Sequence, residues 1–318
     1  MFEPTLRQMR FALALAETGH FGRAAERCAV TQPALSQQIR QIEAGFGVRL
    51  FERTTRTVRP TPFGREFLAR AARVVAEAEA LTAFAQSPGG KPARPLRFGL
   101  IPTIAPYLLP DIYPALRQAF PDVVFSASEA QTDRLIAGFG TGEIDLALIA
   151  TDPPRGAGLA EAVLFADPFV LAAPRGTDVA DPVHLASLPR DSILLLDEGH
   201  CFRDQAIDAC ALRDQDVRHS FSATSLSTIV EFVANGQGIT LLPAISLRKA
   251  NADRRIVLHE LAAPGAGRLL RLVWRQDTPF DKLFGEIAAL IRGLGETRLA
   301  VDLPAAGGLT PSAQGLTA

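Results

Sequence analysis

The sequence predicts a winged helix-turn-helix unit at the N-terminus, a long linker helix, and a C-terminal α/β domain. Three observations carry this reading. The N-terminal end is basic and holds two short helical patterns separated by a turn. An Ala-rich stripe then runs at helical spacing through residues 61–86. Beyond a Pro/Gly-rich break, short apolar runs alternate with helical stretches. The 318 residues are 47% hydrophobic and 21% charged, enough to build two or three domains with ordinary cores.

Composition also excludes several classes. The longest apolar runs, such as Ile144 to Ala150, are far shorter than the roughly 20 residues needed to span a bilayer. The start, Met1-Phe2-Glu3-Pro4, has none of the features of a secretion signal, so a cytoplasmic chain is expected. In a reducing compartment three cysteines are no structural disulfide framework, and a disulfide among them reads as transient and regulatory.

Residues 1–65 contain ten Arg and five Glu, a balance of +5 inside a chain whose total is −1. This is the candidate polyanion-binding end. Phe11, Leu13, Leu15 and Phe21 belong to an apolar first helix and its exit, and residues 24–30 form a short second helix. Thr31-Gln32-Pro33 reads as a turn and a new helix start, with Pro33 tolerated in the first turn. On the helix that follows, Leu35, Ile39, Ile42 and Phe46 form the core-facing stripe. Pro33, Gln37, Arg40 and Gln41 point the other way, placing amides and a guanidinium where they reach base edges and phosphates. Residues 51–60, with Arg53, Arg56 and Arg59 at spacing three, suit a cationic wing.

Residues 2–65 resemble the winged helix-turn-helix of the LysR-type transcriptional regulators. The matching residues are Ala24-Ala25, Thr31-Gln32-Pro33-Ala34-Leu35-Ser36, Gln38-Ile39, Glu43, Gly47 and Leu50-Phe51-Glu52-Arg53-Thr54. Ile42 and Phe46 stand where Leu is usual. The resemblance implies DNA contacts from Gln32, Pro33, Ser36, Gln37, Arg40, Arg53 and Arg56. It also implies a double-stranded operator and RNA polymerase as partners, with assembly as a homodimer or homotetramer. Cys28, on the short second helix, reads as core packing.

Phe67, Ala71, Val74, Ala78, Leu81 and Ala85 alternate spacings of four and three, a heptad seam that predicts a partner helix from a second subunit. Glu66/Arg70 and Arg73/Glu77 supply i,i+4 pairs. Residues 87–95 read as a hinge. The expected boundaries are 1–60 for the DNA-binding domain, 61–87 for the linker helix, 88–95 for the hinge, 96–300 for a regulatory domain and 301–318 for a disordered tail. Expected strands are Leu96–Leu100, Val123–Ser126, Asp145–Ala150, Ile193–Leu196 and Ile239–Leu242, and helices are expected at Gln131–Phe139 and Leu226–Asn235, giving mainly parallel sheets. The family resemblance implies an effector domain of two Rossmann-like subdomains, similar to periplasmic binding proteins, with Phe165–Ala173 and Arg268–Trp274 as candidate crossovers. Subdomain I would take about 96–166 and 269–300, and subdomain II about 167–268.

Cys201 and Cys210 stand nine residues apart in a polar setting, with His200 and Arg203 flanking Cys201. Cys201 falls where a strand passes into a helix, whose N-terminus favours a thiolate. His200 and Arg203 would assist while Asp197, Glu198 and Asp204 oppose them, leaving the sign of the pKa shift open. The segment from Gly199 to Cys210 resembles the redox segment of the hydrogen-peroxide-sensing members of the family. That resemblance implies that Cys201 is oxidised to a sulfenic acid and pairs with Cys210, and that the change activates antioxidant genes. It marks Thr103, Thr132, His200, Arg203, Asp204 and Arg268 as peroxide-binding or activating residues, with Arg271 a neighbour of Arg268. It also implies a thiol reductant such as glutaredoxin or thioredoxin. The chain departs from the pattern at His219, since those relatives place a histidine directly before the phenylalanine that is Phe221, where Ser220 stands.

Two other classes stay open. A regulator binding a small carboxylate between its subdomains would leave the cysteines inert, and a thiol peroxidase would have no use for residues 2–65. A His200/Cys201/Cys210 metal site lacks a fourth ligand at zinc-like spacing. No catalytic cofactor is implied, and the chain reads as a regulator and not an enzyme.

Overall fold

The structure is a computed structural model that describes residues 2–53, 58–86, 92, 94–180, 182–212, 223–250, 253–263 and 265–302. The chain divides into two units, one of Met1–Gly89 with Ala137–Glu143 and the other of Gly90–Ile136 with Ile144–Ala318.

In the first unit, α1 (Leu6–Thr18) opens on a capping box in which the Gln8 amide N–H donates to Thr5 Oγ1 and the Thr5 N–H donates to Gln8 Oε1. It is followed by α2 (Phe21–Arg27) and α3 (Gln32–Phe46), the latter with Thr31 as N-cap. Pro33 stands in the first turn of α3, where a missing N–H costs no helical hydrogen bond. Phe11, Leu15, Ala24, Leu35, Ile39 and Ile42 close the core. The wing is an antiparallel pair, β1 (Phe51–Arg53) with β2 (Val58–Pro60). Glu43 Oε1 fixes its start by accepting from the Leu50 and Phe51 N–H groups.

One expectation needs correction here. Phe46 is 37% exposed and sits off the core stripe at the end of α3, meeting Phe2 and Phe67 edge to face. The linker helix α4 (Pro62–Gln86) packs on α1 and buries Leu68, Ala71, Ala72 and Val75. Val74 at 45% and Leu81 at 69% exposure remain on an outward face. Of the predicted helix-surface pairs, Glu66 and Arg70 meet at 2.7 Å.

Beyond residue 90 the chain forms β3 (Leu96–Leu100), α5 (Ala105–Ala119), β4 (Phe125–Glu129), α6 (Thr132–Thr141), β5 (Leu146–Ile149) and β6 (Leu159–Pro174). It continues with α7 (Cys201–Ala209), α8 (Leu226–Ala234), β7 (Thr240–Pro243), α9 (Leu247–Ala250), β8 (Ile256–His259), β9 (Gly267–Arg275) and α10 (Asp281–Asp302). The strands run in the order β4-β3-β5-β9-β6-β7, with β8 also on β6. Among the described strands, β4, β3 and β5 pair in parallel, and the four ladders involving β6 or β9 are antiparallel. The expectation of mainly parallel sheets is therefore corrected. Its cause is the length of β6 and β9, which contain the two candidate crossovers and pair with each other along their whole shared course.

Ile193–Leu196 is buried as expected but forms no ladder. Ile193 bridges Ile239 and Leu196 bridges Ala223, so the segment divides its pairing between two neighbours and gives neither a continuous run. Helix α10 reaches Asp302, two residues into the expected tail. The rest of that tail, most of the hinge, and His219, Ser220 and Phe221 lie outside the described residues. At the start of the second unit Asp145 accepts from Arg94 at 2.7 Å and from the Arg97 backbone N–H at 2.8 Å. Burial alone would raise the Asp145 pKa, but the hydrogen bonds from the two arginines outweigh it and hold the carboxyl below its ordinary value. No helix among the described residues is long and apolar enough to cross a membrane.

Candidate functional site

Cys201 occupies the first turn of α7, where the residues that precede it make a sharp entry. Gly199 takes φ 85°, a left-handed backbone angle that favours glycine, and packs against the Gln131 amide. His200 is the N-cap and makes no side-chain cap hydrogen bond, while the Phe202 backbone N–H serves the Cys201 sulfur. Cys201 lines a small cleft with Ile101, Thr103, Gln131, Thr132 and His200. These residues come from the loop after β3, the start of α6 and the start of α7. The pocket thus lies beyond the carboxyl ends of parallel strands, the usual ligand position in α/β sheets.

Behind the pocket lies Arg268, 2% exposed. Its Nη1 donates to Thr103 Oγ1 at 2.7 Å and its Nη2 to the Thr103 carbonyl at 3.0 Å. Nε donates to Asp167 Oδ2 at 2.9 Å, in an ion pair whose two side chains are both fully buried. The guanidinium carbon stands 5.3 Å from the centre of the Phe202 ring, next in sequence to Cys201. Removing one partner of such a buried pair costs roughly 3–5 kcal/mol, because the other charge is left uncompensated. Arg271, the competing candidate, pairs instead with Asp152 and Glu161.

Burial pushes the Cys201 thiol above its ordinary pKa. The Arg268 charge and the Thr132 hydroxyl pull it back, and Asp204 pushes it further up. Thr132 Oγ1 is buried and makes no hydrogen bond of ordinary geometry, so its proton is free to serve the sulfur or a bound oxygen. The predicted helpers on the helix act differently. Arg203 donates to the Leu196 carbonyl at 2.8 Å and braces the loop before the helix. Asp204 is exposed, and burial lowers the His200 pKa against the pull of Asp197 and Glu129, so the imidazole supplies no standing charge at neutral pH. Among the described residues, Arg268 is the cation whose charge lowers the thiol.

Cys210 is the C-cap of the same helix, 4% exposed, and burial raises its thiol to about 11. Cys28, Cys201 and Cys210 are all free thiols. Burial also raises the Cys28 thiol, and its side chain packs against the core of the first unit.

On the other unit, Gln32, Pro33, Gln37 and Arg40 are exposed along α3 and Ser36 is half-buried. The Arg53 side chain and the whole of Arg56 lie outside the described residues.

Sequence reasoning missed Asp167, Gln131 and Gln205. Gln205 donates from α7 to the Ala150 carbonyl at 2.7 Å. Asp167 did leave a signal, as a single charge within the apolar run from Val163 to Ala173. A charge in a buried strand requires a partner.

A helix-turn-helix with an exposed polar recognition face, joined to an α/β domain that encloses a cysteine pocket, defines a regulator, and the chain belongs to the LysR family. Residues 6–65 match the bacterial regulatory helix-turn-helix protein, lysR family, and residues 89–294 match the LysR substrate binding domain. The chain is similar to the DNA-binding transcriptional dual regulator OxyR of Escherichia coli K12, 38% identical over 90% of this chain and 94% of the relative. It is also similar to a probable hydrogen peroxide-inducible genes activator of Mycobacterium avium, 39% identical over 91% and 94%. Among solved structures, a cysteine-to-aspartate variant of full-length OxyR from Pseudomonas aeruginosa superposes with a TM-score of 0.75 at 34% identity, covering 91% of this chain and 98% of that one. A hydrogen-peroxide-bound OxyR variant from Corynebacterium glutamicum gives 0.65 at 30%, covering 95% and 96%.

Proposed function

We propose that this chain is a hydrogen-peroxide-responsive transcription factor. The observation that carries the reading is the placement of Cys201 in a small pocket with the hydroxyls of Thr103 and Thr132 and with Arg268 behind them. The Cys201 thiolate attacks one peroxide oxygen, the O–O bond breaks, and the other oxygen leaves as hydroxide, taking a proton to form water. Cys210 then displaces hydroxide from the sulfenic acid, giving a disulfide and a second water. Peroxide is consumed as a signal and not as a substrate for turnover, so the chain is not an enzyme. The disulfide is returned to thiols by a dithiol reductant of the glutaredoxin or thioredoxin type.

The domain limits follow the scheme of a DNA-binding domain to residue 60, a linker helix to 87, a hinge to 95 and a regulatory domain to 300. The outward Val74 and Leu81 face of α4 supports dimerisation through the linker, with a DNA-bound homotetramer as the working form. The face of α3 carrying Gln32, Pro33, Ser36, Gln37 and Arg40 enters the major groove, and the wing with Arg53 and Arg56 contacts the backbone. Oxidation changes the geometry of that assembly on DNA and its engagement of RNA polymerase, in the cytoplasm.

The test is a footprint of the full chain on DNA selected by the reduced protein, before and after one equivalent of hydrogen peroxide. The protected pattern should change on oxidation and return with a dithiol reductant. An identical footprint with peroxide fully consumed would refute the proposal.

A further inference from the structure

Asp167 faces Arg268 directly across the β6/β9 ladder, at the point where the two long strands pass behind the Cys201 pocket. Its carboxylate has two roles. Oδ2 accepts from Arg268 Nε at 2.9 Å and Oδ1 accepts from the Ile245 backbone N–H at 3.0 Å. The backbone thereby fixes the carboxylate, and the carboxylate fixes the guanidinium.

The consequence reaches Thr103. Arg268 has only donors, so the Thr103 oxygen that receives Nη1 must accept, and its own hydrogen has to point elsewhere. Thr103 lines the pocket with Cys201, which leaves that hydrogen available to an oxygen bound against the sulfur. We propose that Asp167 is a positioning residue for the peroxide chemistry: it aims Arg268 at Thr103 and so sets Thr103 as a donor into the pocket. This inference rests on the peroxide reading above and adds the residue that orients the donors. Asp167 touches neither the sulfur nor the pocket, and its effect passes through Arg268.

Asparagine cannot replace it. Its amide offers one acceptor and one donor end to two N–H donors, so in either orientation one contact becomes donor against donor. The leaving oxygen of peroxide needs a donor in the transition state, and alkylation of the same thiolate by iodoacetamide leaves iodide and needs none. The ratio of the two rate constants at one pH cancels the fraction of thiolate and reports the donor alone.

The experiment measures that ratio for Cys201 in the full chain carrying Cys28→Ser and Cys210→Ser, which leaves one thiol. The parent should show a ratio far above that of free cysteine. Asp167→Asn and Arg268→Gln should each lower it by about 10²-fold, the usual cost of one oxyanion donor. The double variant should be no lower than Arg268→Gln alone. A parent ratio equal to that of free cysteine would overturn the peroxide reading itself. A raised parent ratio unchanged in folded Asp167→Asn would overturn the role of Asp167 alone. If Asp167→Asn does not fold, the double variant, in which neither charge is left unpaired, is compared with Arg268→Gln. A further fall there would show Asp167 acting independently of Arg268 and would refute the proposal.

Discussion

Cys201 and Cys210 stand at opposite ends of one nine-residue helix, the first on its opening turn and the second as its C-cap. At a rise of 1.5 Å per residue their Cα atoms are about 13.5 Å apart. A disulfide tolerates no more than roughly 7 Å. The reduced helix and the disulfide therefore exclude each other, and oxidation must unwind or displace α7. Phe202 and Ala206, its buried residues, would leave their places, and Phe202 packs edge to face on Phe169 at 5.1 Å. We expect hydrogen exchange of the α7 amides to accelerate at least tenfold on oxidation. Unchanged protection in a fully oxidised sample would show that the signal travels without refolding.

The three thiols should differ in role. Cys201→Ser should abolish the peroxide response, Cys210→Ser should trap a sulfenic or overoxidised Cys201, and Cys28→Ser should respond as the parent does. Only Cys201 lines the pocket and feels Arg268. Trapping with a sulfenic-acid reagent followed by peptide mass analysis checks all three, and label on Cys28 in the parent would contradict the assignment.

Cys201 oxidation should accelerate with pH. Burial raises its thiol pKa, with Arg268 and the Thr132 hydroxyl only partly offsetting this, so the thiolate is a minor form at neutral pH. Between about pH 6 and 8 the rate constant should rise close to tenfold per unit, following the thiolate fraction. Arg268→Ala removes the lowering charge and should move the profile to higher pH. A rate constant flat across this range would mean that the thiol is already ionised.

Arg40→Ala and Arg53→Ala should weaken operator binding and flatten its salt dependence, by about 0.9 in the logarithmic slope for each phosphate left without its cation. Arg40 is exposed on the face of α3 opposite Leu35, Ile39 and Ile42. Titration by fluorescence anisotropy at several salt concentrations measures the effect. Affinity equal to the parent in both variants would defeat this docking face.

Much of this was legible where local pattern and structure agree. The α3 stripe of Leu35, Ile39 and Ile42, the strand Leu96–Leu100, and the helix between the two cysteines all follow from spacing and composition within a few residues. What escaped depends on residues distant in sequence. Along α4 the spacing shows the seam of Phe67, Ala71, Val74, Ala78, Leu81 and Ala85, but not that Leu68, Ala72 and Val75 make a second, buried face, because α1, on which α4 packs, lies far away in sequence. Ile193–Leu196 has strand composition, but two neighbours compete for its backbone. At the site, the groups nearest Cys201 in sequence, His200 and Arg203, read as its electrostatic partners. Arg268, sixty-seven positions away, is reached only through the family resemblance, and no local pattern shows that Asp167, one hundred and one residues before that arginine, holds it.

The most direct measurement is intact-mass and disulfide mapping of the full chain before and after one equivalent of hydrogen peroxide under denaturing alkylation. The account predicts loss of two alkylatable thiols and a single cross-linked peptide pair containing Cys201 and Cys210, with Cys28 still alkylated. Three alkylatable thiols after the peroxide is consumed, or a cross-link that includes Cys28, would contradict it.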